Sequence, residues 1–169
     1  MSSASPSSTR SRSRSRSAPA TISFEAVDPD YAARVRGSFG RQPAMHLIGA
    51  EMTRVEPGFC EIRLPYRAGN TQQHGFVHGG IVGMIADSAG GYAAYTLYPA
   101  DASILTVEYK MNLLAPARGD TLVARAEVVR PGRTLTVVRA DVFAVEGDRE
   151  ILCATMQQTL ITLHRKADR

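Results

Sequence analysis

The sequence predicts an α+β domain in which a curved antiparallel sheet wraps around one long central helix. Three observations predict it. Two strand-like segments precede a single long helical segment, and four strand-like segments follow it. The helical segment is apolar nearly all round, so it has to be buried, and an antiparallel sheet is the only partner available. The same segment is crowded with small residues (Gly83, Ala86, Ser88, Ala89, Gly90, Gly91, Ala93, Ala94). Each internal glycine costs a helix roughly 1 kcal/mol against alanine, so these glycines make sense where another backbone approaches the helix axis closely.

Taken in order, Asp28-Pro29-Asp30 opens a short helix running to about Phe39, with Asp28 as N-cap and Pro29 at the first helical position. After Gln42-Pro43 the character changes. Leu47–Val55 and Cys60–Leu64 read as strands joined at Glu56-Pro57-Gly58, a hairpin signal. A loop begins at Gly69-Asn70 and runs to His78. From Gly79 to about Leu97 apolar residues recur at helical spacing (Ile81, Val82, Ile85, Ala86, Ala89, Ala93, Leu97), and Pro99 ends the run.

Four strands follow at about Ser103–Leu113, Asp120–Val129, Thr134–Val145 and Ile151–Leu163. They are broken at Pro116, at Pro131-Gly132 and at Glu146-Gly147-Asp148. Leu122, Ala124, Ala126 and Val128 alternate with Val123, Arg125, Glu127 and Val129, giving one apolar and one mixed face. Residues 42–163 are expected to form the domain, 25–41 an N-terminal helical segment and 164–169 a short C-terminal tail. Exposed sheet edges and a semi-apolar face predict an oligomer, a dimer or a tetramer.

The net charge of +4 hints at nucleic acid, but its location removes the hint. Residues 1–24 hold Arg10, Arg12, Arg14 and Arg16 and no acidic residue; setting those four aside leaves 16 basic against 16 acidic residues. A neutral body offers no basic face for nucleic acid. The Ser/Arg-rich stretch has too little apolar bulk to order itself and reads as a disordered tail. A transit peptide, an RNA-touching arginine–serine tract and a start codon placed too early are the competing readings. No apolar run approaches the roughly 20 residues of a membrane span, so no membrane association is expected. Cys60 and Cys153 are far apart and outside any paired-cysteine motif, which points to two buried thiols and a reducing cytoplasm.

The segment that carries chemistry runs from Gln72 to Gly80, followed by a helix containing Asp87. Gly79 and Gly80 open that helix, where N–H groups lack intrahelical partners and the dipole end is positive. Glycine there admits a ligand atom to the backbone, the construction that polarises a carbonyl and holds an oxyanion. Asp87 lies more than two turns further on, in otherwise apolar surroundings. Desolvation there raises a carboxylate pKa, which suits a general base near neutrality. Eight residues separate Gly79 from Asp87 by about 12 Å along the axis. One carbonyl cannot be served by both ends of the same helix, so if both act they come from different subunits.

At these residues the sequence resembles the hotdog-fold acyl-CoA thioesterases of the phenylacetate-degradation type. In those a polar Asn or Gln precedes a His-Gly-Gly helix start, and an acidic residue follows nine positions after the His. Gln72, His78, Gly79 and Asp87 match here, and the resemblance spans about residues 42–163. It implies a hotdog fold with no cofactor and no metal, and an acyl-CoA as substrate. It also implies that the Gly79 N–H binds the thioester oxygen, with Gln72 and His78 shaping that pocket. Asp87 of the partner subunit then activates water, or attacks directly to form an anhydride. Thr106 matches a Ser or Thr that places the water or carboxylate. Gly80 and Phe76 are the expected substrate contacts, and Arg133, after the Pro131-Gly132 turn, is a candidate for the phosphates of CoA.

Relatives with Glu at position 87, with Asn at 72, or with Ser or Thr where Gly91 stands show that this chain mixes sub-patterns. Bland readings stand beside the sharp ones. Asp87 could be a paired structural aspartate and His78 a loop-orienting histidine. Tyr92, Tyr95 and Met84 are as easily core or interface as acyl pocket. His74 and His78 have no third ligand nearby, and Ser88 lacks the setting of a nucleophile. Two other functions remain as alternatives: an acyl-CoA binding or sensor protein without turnover, and a hotdog hydratase or dehydratase.

Overall fold

The computed structural model describes residues 23–166. The Ser/Arg-rich tract expected to form a tail therefore lies outside the described residues up to residue 22, as do residues 167–169. The chain forms α1 (Tyr31–Gly40), α2 (Pro43–Ile48), β1 (Glu51–Glu56), β2 (Phe59–Pro65), α3 (Gly79–Tyr95), β3 (Ser103–Leu113), β4 (Thr121–Arg130), β5 (Leu135–Glu146) and β6 (Arg149–Leu163). The six strands make one antiparallel sheet in the order β1-β2-β4-β5-β6-β3. After α3 the chain therefore crosses to the far edge of the sheet and lays β3 beside β6, Ser103 opposite Leu163 and Leu113 opposite Ala154. This is the wrapped-helix α+β architecture expected from the sequence.

Strand alternation sorts side chains by face. Ile62, Leu64, Leu122, Ala124, Ala126, Val138, Ala140, Val142, Met156 and Leu160 point inward and are almost completely buried. They close on Val82, Ile85, Ala86, Ala89 and Ala93 of α3. Each fully buried large aliphatic side chain contributes roughly 1.5–3 kcal/mol, so this helix–sheet layer is the main stabilising contact of the fold. On the outer face Arg125 bridges Glu61 at 3.0 Å and Glu150 at 2.7 Å across the Phe143 ring. Twelve of the 17 residues of α3 are buried. The stripe left open is at its N-terminal half, where Gly80 and Met84 are exposed and Asp87 is half-buried.

Three local expectations need correction. The strand expected over Leu47–Val55 starts only at Glu51, because residues 43–48 form α2. Pro43 opens that helix and Gly49, at φ 79°, closes it in the left-handed conformation that glycine adopts freely. Met45 and Ile48, three apart, are its buried face, and Leu47 points into solvent. The first helix starts at Tyr31 rather than at Pro29. Asp28 does not cap it; its carboxylate accepts from the Asp30 N–H at 2.9 Å and from Arg34 Nε at 2.7 Å. Finally, α3 ends at Tyr95, two residues early. The Leu97 and Tyr98 N–H groups bond three residues back instead of four, and Thr96 Oγ donates to the Ala93 carbonyl.

α1 is strapped to the C-terminal half of α3. Arg34 Nη2 donates to the Tyr98 carbonyl at 2.8 Å, its guanidinium lies 4.2 Å from the Tyr95 ring centre, and Phe39 meets Tyr92 edge-on. No helix among the described residues is long and apolar enough to cross a membrane. Cys60 and Cys153 are buried free thiols. Burial pushes their pKa up to about 12 and about 11, which makes them inert packing groups.

Candidate active site

The loop before α3 is built to present one backbone donor. Asn70, buried, ties it down by donating Nδ2 to the Ile48 carbonyl at 2.8 Å and accepting the His78 N–H at 2.9 Å. The Thr71–Val77 bridge and a turn with Gly75 at φ 82° bring Gln72 back beside the helix start. The Gln72 side-chain oxygen accepts from the His74 N–H. His78 is the N-cap of α3, with its Nδ1 accepting from the Gly80 N–H at 2.9 Å. That bond fixes the Nδ1 lone pair inward and places the ring proton on Nε2. The His78 carbonyl takes the Ile81 and Val82 N–H groups. The Gly79 N–H has no partner among the described residues, so it is the open donor at the positive end of α3.

Gly79 borders a cleft of about 350 Å3 shared with Gln72, Phe76, Val82 and the Leu113–Ala117 segment. A β-carbon at Gly79 would stand 3.1 Å from Leu113 Cδ1, so glycine keeps this cleft open. Gly80 is not a donor to it, since its N–H is already engaged by His78.

Asp87 sits in a separate cleft of about 320 Å3, lined on one side by Ser38 and Gln42 and on the other by Ser103–Thr106. It is the only charged side chain on α3. Thr106 Oγ donates to Asp87 Oδ1 at 2.8 Å. Burial pushes the carboxyl pKa above the usual aspartate value, and the Thr106 hydrogen bond opposes that shift without cancelling it. Thr106 is aimed by a β-bulge at Val107, where the pairing of β3 with β6 slips by one residue. Gly91, one turn after Asp87, floors the cleft, and Tyr92 and Tyr95 continue its wall.

The two clefts share no residue. The chain brings Gln72, Phe76, His78 and Gly79 together at one end of α3, and Asp87 with Thr106 two turns away; it does not join the two groups. Arg133 lines neither cleft. It is exposed on the β4–β5 connection, its carbonyl 2.9 Å from His164 Nε2, at the sheet end where β3 begins. Met84 is exposed and also lines neither. Among the described residues no three His, Cys, Asp or Glu side chains cluster as a metal site would require.

Sequence reading missed Ser38 and Gln42, which reach the Asp87 cleft from the N-terminal helical segment. Ser38 Oγ lies 3.3 Å from the Tyr92 hydroxyl. Ser38 lies within α1 and Gln42 in the α1–α2 break, positions that say nothing about the long-range docking of α1 on α3. It also missed Gln158: alternation with Met156 and Leu160 puts it on the inner face of β6, but only the fold sets it against Asp87.

Comparison with known proteins places the fold in a family. Residues 74–151, which hold His78, Gly79, Asp87 and Thr106, match the family model described as the thioesterase superfamily. A crystal structure of a thioesterase family protein from Silicibacter pomeroyi superposes with a TM-score of 0.78 at 50% identity, covering 79% of this chain and 98% of that one. A Halobacterium salinarum protein named a "putative esterase" is 33% identical over 118 residues, 67% of this chain and 78% of its own length. The 1,4-dihydroxy-2-naphthoyl-CoA hydrolase of Listeria monocytogenes is 24% identical over 119 residues, 70% of this chain and 95% of its own length. The fold of one long helix and a six-stranded antiparallel sheet is thus shared with a thioesterase structure, and the chain belongs to the thioesterase superfamily.

Proposed function

We propose that the protein hydrolyses an acyl-CoA thioester to the free acid and CoA, at a site shared between two subunits, in the manner of the phenylacetate-degradation type. The observation that carries this reading is Asp87: a half-buried carboxylate with a raised pKa, held by Thr106 at the wall of a cleft. The thioester oxygen accepts from the Gly79 N–H of one subunit, in the pocket shaped by Gln72 and His78. Asp87 of the other subunit takes a proton from water as the water oxygen attacks the carbonyl carbon. The C–S bond then breaks, the acid leaves, and the sulfur takes a proton to leave as CoA. In the other branch the carboxylate itself attacks the carbonyl carbon, and the C–S bond breaks to expel CoA as its thiolate. Water then cleaves the anhydride to the free acid and the Asp87 carboxylate, its proton going to the thiolate. Both branches use the same residues and need neither metal nor cofactor.

The pairing of subunits follows from β3. Among the described residues this strand is hydrogen-bonded only to β6 and leaves its other edge open, with Leu105, Val107, Tyr109 and Leu113 each more than half exposed. Such an edge is a template for another strand. Asp87 is tied to Thr106 near the start of β3, and Gly79 abuts Leu113 at its end. A second copy docked antiparallel, with Thr106 opposite Leu113 of the partner subunit, therefore sets each Asp87 near the other chain's Gly79. The same docking covers the open stripe of α3.

Thiol release from a panel of acyl-CoAs (phenylacetyl, hydroxybenzoyl, short, medium and long chain) tests the function. The wild type should turn over at least one of them, and Asp87→Asn should lose at least 10²-fold in kcat with the oligomer intact. Saturable acyl-CoA binding without turnover in either protein would instead identify a binding module.

A further inference from the structure

Behind the turn of α3 that carries Asp87, β6 presents a single buried amide. Gln158 lies on the inner face between Met156 and Leu160 and is 1% exposed. Its Nε2 donates to the Asp87 main-chain carbonyl at 3.2 Å. Its Oε1 is buried and has no hydrogen-bond partner among the described residues. The amide occupies the place of a side chain at Gly90: a β-carbon there would fall 2.5 Å from both Cδ and Oε1. Glycine at 90 is what lets the amide reach the carbonyl.

Each half of this arrangement is unfavourable by local rules. A glycine sits in mid-helix, and a half-satisfied glutamine replaces the apolar side chain that the rest of the inner face would favour. Two such departures meeting at the turn that bears Asp87 indicate a role in function rather than in folding. We infer that Gln158 is a positioning residue for the hydrolytic carboxylate. The Asp87 carbonyl already has the helical position that accepts from four residues on. A second donor, fixed to a strand, locks the rotation of the 87–91 turn about the helix axis. The carboxylate is then gripped from two strands, its main chain by β6 and its side chain by Thr106 of β3. Placement to within about 0.5 Å is what a catalytic group requires of its supports.

This inference rests on the proposed role of Asp87, and the test separates the two. Gln158→Met keeps the volume and removes the amide. It should lower kcat about tenfold or more, since small misplacements of reacting groups cost rate steeply. KM for the acyl-CoA should stay within about twofold, because ground-state binding is untouched. The thermal midpoint should hold or rise, because the unpartnered oxygen is gone. Gly90→Ala, which drives the amide off the carbonyl, should lose both kcat and midpoint. Adding Gln158→Ala to Gly90→Ala relieves the collision and should recover midpoint without recovering kcat. A Gln158→Met enzyme with wild-type kcat, or one whose kcat falls only in step with its midpoint, overturns the inference. Asp87→Asn is assayed alongside: turnover retained there would overturn the reading of the site itself instead.

Discussion

Two opposed influences act on the Asp87 carboxyl group, and Thr106 controls one of them. Burial favours the protonated acid, while the Thr106 hydroxyl at 2.8 Å favours the carboxylate. The proposed hydrolysis uses the ionised form as base or as nucleophile, so the rate should fall as pH drops through the pKa of Asp87. Thr106→Val removes the influence that lowers this pKa. The acid limb of kcat/KM should therefore move to higher pH in that variant. A limb that stays in place, or moves down, would show that Thr106 does not bond the working carboxylate. At this scale the sequence was informative, because Gln72, His78, Gly79, Asp87 and Thr106 occur at a recognisable spacing. It was silent on Gln158 and Ser38, which act through contacts between distant elements.

Among the elements, β3 carries two duties with opposite demands. Its inner side grips Asp87 and faces α3, and its open edge is apolar where an isolated subunit would favour charge. A double variant placing Lys at Val107 and Tyr109 should convert the protein to monomers in sedimentation or light scattering. Thiol release should be lost with them, because each half-site then stands alone. Monomers that keep full activity would contradict a shared site.

The long helix and the four later strands were legible because periodicity and turn residues agreed along them. The small residues of α3 implied a close approach, and at Gly90 it is the side chain of Gln158, not another backbone, that makes it. The α2 segment was not. Six residues, Pro43 to Ile48, are too few to show a helical period, and Leu47-Ile48 beside β1 resembles the start of a strand.

At the scale of the whole molecule, the proposed site has both halves in one chain, held about 12 Å apart by the rise of its own helix. On that proposal only assembly closes the gap. The fold was predictable from the order of elements, since a single apolar helix among strands has few ways to be buried. The place of β3 at the sheet edge was not, because strand order is absent from local sequence.

Subunit complementation tests the shared site most directly. Asp87→Asn removes the carboxylate, and Gly79→Pro removes the open N–H. Proline suits the first helical position, and His78 at φ −61°, ψ 135° already has the conformation of a residue before proline. Loss of one such donor costs about 10²–10³-fold in kcat. Each variant alone should be nearly inactive. Refolded together from denaturant in equal amounts, they should regain about a quarter of wild-type activity, since half of the dimers are hybrids and each hybrid holds one intact site of two. A mixture no more active than its components would contradict a site built from the Gly79 of one subunit and the Asp87 of the other.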